Sequence, residues 1–155
     1  MKFIFPFLGK TREKYLDEGI RDYSGRLGRF VTVEIQLIRE HHDKNGPEKT
    51  VRKKEAELLL GRCPAKGLVV ALDPGGNQPD SEKLARMVRT WQDGGVRNVC
   101  FLIGGHLGLD SSVLARADVV ISLSRLTFTH EMTRLILMEQ LYRACTINDG
   151  QKYHK

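Results

Sequence analysis

Three runs in the second half of the chain constrain its fold most: residues 67–73 (GLVVALD), 98–103 (NVCFLI) and 118–124 (DVVISLS). Each is short, rich in β-branched residues and apolar almost throughout, without the alternation of a strand that turns one face to water. Strands of that kind are buried on both faces, which requires helices above and below a largely parallel sheet. The segments between them supply those helices. Leu84, Met87, Val88 and Trp91 recur at i, i+3, i+4 and i+7 behind Asp80 and Ser81, either of which can cap a helix. A short helix is expected near 111–117, and a long one over about 131–145 carrying Met132, Leu135, Ile136, Leu141 and Tyr142. The alternation predicts an α/β fold, a doubly wound, mostly parallel sheet with helices on both faces.

The first half fits the same scheme. Residues 2–8 (KFIFPFL) read as a strand that Pro6 should confine to a sheet edge or a bulge. Tyr15, Leu16, Ile20, Tyr23 and Leu27 then fall on one helical stripe. VTVEIQLI alternates, with Val31, Val33, Ile35 and Leu37 on one side, as in a half-buried strand. EHHDKNGP is a polar turn, and Pro47 suits the first position of a charged helix running to about Leu60. A chain of 155 residues, 41% hydrophobic and without repeat or linker, is expected to form a single domain over 1–155.

Composition narrows the function. A net charge of +6 favours a polyanionic partner such as nucleic acid, although a basic surface is also common in ordinary soluble proteins. Cys63, Cys100 and Cys145 form no close pair, so neither a disulfide framework nor a thiolate zinc site is expected, and the compartment should be reducing. With no leader-like start and no apolar run near eighteen residues, the expectation is a cytoplasmic protein with no membrane contact. Adjacent His41 and His42 lack a third ligand at useful spacing, and a solvated loop explains them better than a metal.

In an open α/β sheet the ligand site lies beyond the carboxyl ends of the strands. There the three buried strands run into unusual loops: LDPGG at 72–76, IGGHLG at 103–108 and SLSRLTFTH at 122–130. Glycines in such loops either close tight turns or let main chain approach a ligand closely, and three such loops in succession favour the second role. The spacing matches neither the dinucleotide fingerprint nor a P-loop, and no nucleophile elbow is present. His106 lies within the second loop, exposed or close to ligand, and His130 precedes the last helix.

Taken in order, GKTREKYLDEGIRDYSGRL, LD followed by Gly76, IGG at 103–105 with Gly108, LSRLTF at 123–128, His130, RLILMEQLYRA at 134–144 and the terminal YHK resemble one family along nearly the whole chain. It is the RlmH group of SPOUT methyltransferases, which methylate N3 of a pseudouridine in bacterial 23S ribosomal RNA. The resemblance implies a C-terminal trefoil knot, a rare exception to the rule that chains do not thread. It also implies a homodimer with the site at its interface, S-adenosyl-L-methionine as cofactor, no metal, and a substrate within the large subunit or the whole ribosome. The implied cofactor contacts are Leu72, Gly104, Leu123, Ser124, Arg125, Leu126, Thr127 and Phe128. His106-Leu107 replaces a more polar pair, Pro6-Phe7 interrupts the first strand, and Thr129 stands where proline usually precedes the histidine, which should loosen the start of the last helix.

The implied catalytic residues are His154, Tyr153 and Arg143. His154 is the expected proton acceptor, Tyr153 a platform for the base, and Arg143 with Lys155 a contact to phosphate or base. For Arg143 the plain alternative is a solvated helix residue, and for Tyr153 and His154 a frayed tail. Two rival functions use the same features: a non-catalytic RNA- or ribosome-binding protein, and a small nucleotide-binding oxidoreductase.

Overall fold

A computed structural model describes residues 1–39 and 47–153. Residues 40–46, which carry His41, His42 and most of the expected polar turn, and His154 with Lys155 lie outside the described residues. In chain order the elements are β1 (Lys2–Leu8), α1 (Lys14–Leu27), β2 (Thr32–Ile38), α2 (Glu48–Leu60), β3 (Leu68–Asn77), α3 (Ser81–Asp93), β4 (Asn98–Ile103), α4 (Ser111–Arg116), β5 (Val119–Ile121) and α5 (His130–Asn148). The five strands form one parallel sheet in the order β2-β1-β4-β3-β5.

Side-chain alternation along the strands builds two cores. Phe3, Phe5 and Phe7, with Val70, Val99, Phe101 and Ile121, face α1, α3 and α5. Phe101 stacks on Phe5 at 5.2 Å between centroids and meets Phe3 edge-on at 5.1 Å. Ile4, Leu8, Val69, Ala71, Cys100 and Leu102 face the other way, onto Ala56 and Leu59 of α2 and Val113 of α4. This is the two-faced burial that uninterrupted apolar strands require.

Pro6 does not place β1 at an edge, because the strand lies between β2 and β4. The Lys2 amide donates to Arg97 O on the β4 side, so the alternation of a parallel strand directs position 6 to that side as well. Pairing with β4 ends at Ile4, and the donor that proline lacks falls where no ladder bond is made. On the expected inner face of β2, Val31 is buried and Val33 half-buried, but Ile35 and Leu37 remain 36% and 54% exposed while Ile38 on the opposite face is buried. Pro47 occupies the N-cap of α2, one position before the helix begins.

The last helix is longer than its apolar pattern, running from His130 to Asn148. Its fully buried side is Leu137, Met138, Leu141, Ala144 and Cys145; Met132, Leu135, Ile136 and Tyr142 are half-buried. A helix packed on both the sheet and two neighbouring helices carries no single apolar stripe. Thr129 tightens the start of this helix instead of loosening it: its hydroxyl accepts the Met132 amide at 3.2 Å as a side-chain cap.

Candidate functional site

The three loops chosen from the sequence converge on one cleft of about 190 Å³ at the carboxyl edge of the sheet. The first is set within β3. Leu72 and Asn77 both pair with Ile121, so residues 73–76 are looped out of the ladder as an extended bulge. Asp73 stabilises that loop by accepting the Gly75 amide at 2.8 Å. Gly76 is required by close approach, since a Cβ there would stand 2.8 Å from backbone atoms of Val120 and Ile121.

The second loop leaves β4 at Gly104 and turns back at Gly108, whose φ of +77° lies in the region that favours glycine. A Cβ on Gly104 would lie 2.5 Å from the carbonyl carbon of Gly108, so the two limbs of the loop are in backbone contact. The third loop follows β5. Ser122 donates its hydroxyl to Ser124 O at 2.9 Å, and the Ser124 hydroxyl accepts the Leu126 amide at 2.9 Å. These short-range bonds satisfy main-chain groups that have no ladder partner, and hold residues 122–128 as a wall.

Of the expected cofactor residues, Leu72, Gly104, Leu123, Ser124, Leu126, Thr127 and Phe128 line the cleft. Arg125 is exposed and does not. Asp73, Pro74, Ser122 and Thr133, with Ile103, Gly105, His106, Gly108, Leu109, Ile121 and His130, complete the lining and lie outside the expected cofactor set. Thr133 is one turn after His130, and that spacing was the available signal for it. The cleft therefore combines apolar walls with main chain and small hydroxyls, a lining suited to a neutral heterocycle and a sugar rather than to a phosphate chain.

Arg143 and Tyr153 gather elsewhere. The Tyr153 hydroxyl lies 3.2 Å from that of Tyr23 and donates to Glu139 Oε1 at 3.1 Å. Arg143 donates to the same Glu139 oxygen and holds its guanidinium 4.7 Å from the Tyr153 ring centroid, while Tyr142 meets that ring edge-on at 4.8 Å. Tyr153 is thus tied to α1 and α5. Burial, reinforced by the bonds with Tyr23 and Glu139, pushes the Tyr153 phenol well above its ordinary range, so it stays protonated at neutral pH. The Glu139 carboxylate holds the Arg143 guanidinium firmly charged. Neither residue lines the cleft. Ten residues of helix separate Thr133 from Arg143, about 15 Å along the axis.

Two charged residues that sequence reasoning passed over lie between these regions. Arg134 is 2% exposed, with its guanidinium 4.6 Å from the Phe7 ring centroid; it donates to Leu8 O, to Gly9 O at 3.3 Å and to Thr11 Oγ1 at 3.1 Å. The Glu131 carboxylate accepts the amides of Arg12 at 3.0 Å and Glu13 at 3.1 Å. Burial opposes ionisation of Glu131, but those two amides, with His130 and Arg134 nearby, leave its carboxyl below the usual range. Among the described residues no group of His, Cys, Asp and Glu could hold a metal ion, and no helix is long and apolar enough to cross a membrane.

Comparison with known proteins agrees with this geometry. The family described as "Predicted SPOUT methyltransferase" matches residues 1–154. The chain is 47% identical over 155 residues to ribosomal RNA large subunit methyltransferase H of Desulfotalea psychrophila, covering 100% of both chains. It is 42% identical to the proteins of that name from Geotalea daltonii, covering 99% of each, and Acetivibrio thermocellus, covering 100% of each. A solved structure of a probable methylase family protein from Haemophilus influenzae shares the fold with a TM-score of 0.54 at 11% identity, over 99% of this chain and 70% of that one. The chain belongs to the SPOUT methyltransferase family.

Proposed function

We propose that this protein is an S-adenosyl-L-methionine-dependent methyltransferase acting on N3 of a pseudouridine in 23S ribosomal RNA, within the large subunit or the whole ribosome in the cytoplasm. The observation that carries the reading is the cleft, whose walls are glycine-rich main chain, Leu72, Leu123 and Phe128, with Ser124 and Thr127 as polar contacts. Those residues fit an adenosine with an amino-acid arm. When bound, S-adenosyl-L-methionine supplies an electrophilic methyl group on a sulfonium. The chain's part is to align that methyl with the acceptor nitrogen and to exclude water.

The acceptor nitrogen carries a proton that must leave. Tyr153 is held neutral and hydrogen-bonded, which suits it to donate a hydrogen bond or to stack on the base, not to accept a proton. His154, whose imidazole nitrogen can take a proton, is the acceptor in this scheme. Arg143 orients Tyr153 by spanning its ring and Glu139.

Within one chain the Tyr153 cluster stands about 15 Å from the cleft along α5. A second copy that brings its carboxyl end to this cleft would complete the site, and supports a homodimer. The half-buried Met132 and Ile136, with the exposed Leu126, leave apolar surface that such a partner would cover. The proposed trefoil needs the first and third loops in close contact, and residues 120–122 pack on Gly76 and Asn77, the Ser122 amide donating to Asn77 O at 2.8 Å. Replacing His154 with Ala tests the scheme: methyl transfer should fall by at least about a hundredfold with cofactor affinity retained. Equal turnover would reject His154 as the acceptor.

A further inference from the structure

The loop joining β1 to α1 is held with unusual force for an exposed connection. Arg134, essentially without solvent contact, spends its guanidinium on Leu8 O, Gly9 O and Thr11 Oγ1. Glu131, one turn earlier on the same side of α5, takes the next two amides, those of Arg12 and Glu13. Glu13 is the N-cap of α1 and makes no side-chain cap of its own; its amide, with that of Arg12, is held by Glu131 from another helix. Burying a guanidinium is expensive unless it is hydrogen-bonded, and here both terminal nitrogens bond to one short loop.

The loop carries charge outward. Residues 10–14 read KTREK, three cations to one carboxylate, and Lys10, Arg12 and Lys14 are exposed. It is also placed: Glu131 follows His130, which lines the cleft, and Thr133 of the same turn lines it too. A rigid loop bearing cations beside a site that must receive a looped nucleic acid matches the way proteins grip RNA backbone, with charge on phosphates and position set by the scaffold.

We infer that residues 10–14 form a phosphate-binding arm that grips the RNA strand flanking the target base, and that Glu131 and Arg134 are positioning residues for it. The inference rests on the ribosomal RNA reading above and adds the surface that holds the substrate. It assigns a role to the two charged residues of α5 that the methyl-transfer scheme does not use.

The test combines binding and turnover in the full-length protein. Lys10→Ala/Lys14→Ala should leave cofactor affinity and melting temperature unchanged. The salt slope of binding to a 23S ribosomal RNA fragment should drop by about 1.4 to 1.8, two phosphate contacts. At 0.15 M salt that corresponds to a rise of roughly 15- to 30-fold in KM for ribosomal particles, with kcat near the wild-type value. Glu131→Gln should also raise KM rather than lower kcat, and its effect should vanish in the Lys10→Ala/Lys14→Ala background, because both changes act through one contact. An unchanged salt slope in the double lysine variant, or a Glu131→Gln effect that adds in full to it, overturns the inference. Because the slope is read without turnover, a wild-type protein that methylates nothing would refute the enzymatic reading while the slope still decides the arm.

Discussion

Gly104→Ala is the substitution that bears most directly on how the cleft is built. A methyl group there would meet the Gly108 carbonyl carbon at 2.5 Å, its oxygen at 2.8 Å and the Leu109 nitrogen at 2.8 Å. Ordinary contact begins at 3.4 Å, so the limbs of the second loop must part by about 0.9 Å, the difference between 3.4 and 2.5 Å. All three contacts are backbone, so no rotamer change relieves them. Overpacking of this kind costs about 1–3 kcal/mol, which for a domain of this size lowers Tm by roughly 3–10 °C. The larger effect is on ligand geometry. Gly105, His106, Gly108 and Leu109 all line the cleft, and a displacement near 1 Å in a positioning element costs on the order of a hundredfold in rate. Calorimetric titration with S-adenosyl-L-methionine and melting with and without it measure both quantities. The wild-type protein should gain about 2.7 kcal/mol of stability at a hundredfold excess over Kd, and the variant should gain little. Gly25→Ala is the control: it lies in α1 with nothing within 4 Å of its Cβ, and should stabilise by about 0.5–1 kcal/mol. A Gly104→Ala protein with wild-type affinity and Tm would refute the description of the cleft.

Three other outcomes follow from groups away from the loops. Since the Glu131 carboxyl is held below its usual range, it contributes stability above the unfolded carboxylate value near 4.3, lost as pH falls through its folded value. Glu131→Gln should lower stability by about 2 kcal/mol near neutrality and flatten the decline of Tm between pH 5 and 3; an unchanged slope would contradict this. Tyr153→Phe should keep the pH profile of methyl transfer, because a neutral phenol does not titrate there, whereas a profile shifted by that change would make Tyr153 the proton acceptor. Cys63 and Cys100 have sulfurs 3.1 Å apart; their hydrogen bond lowers the half-buried Cys63 thiol, while burial pushes Cys145 to about 12. A thiol reagent should therefore modify one cysteine in the native protein, and Cys63→Ser should remove that fast phase; persistence of the phase would refute the assignment.

The uninterrupted strands 68–72 and 98–103 and the helical stripe ending at Trp91 were legible because burial on two faces leaves a continuous apolar run, and burial on one leaves a period. Glycines at successive strand ends marked the cleft for a related reason, since backbone contacts such as Gly104 against Gly108 permit no side chain. What the pattern could not convey depends on pairs distant in sequence. Pro6 was tolerated inside the sheet because β4 turns away after Ile4, which no local rule reports. Thr129 departs from the proline expected before His130, yet its hydroxyl caps the helix, a bond that the residue type alone does not declare. Glu131 and Arg134 were hidden because a charged pair in a helix usually faces water, and only tertiary structure shows them bonded to a loop more than a hundred residues away. Membership of the methyltransferase family decides against an oxidoreductase.

The most direct measurement is methyl incorporation from S-adenosyl-L-methionine labelled in the methyl group, offered in parallel to free 23S ribosomal RNA, isolated large subunits and whole ribosomes lacking the modification. Label is expected in a pseudouridine at N3, in the large subunit or the whole ribosome in preference to free RNA, and it should disappear when Tyr153, His154 and Lys155 are removed although the truncated protein still binds the cofactor. Absence of label from all three substrates, with the cofactor bound, would contradict the proposed function.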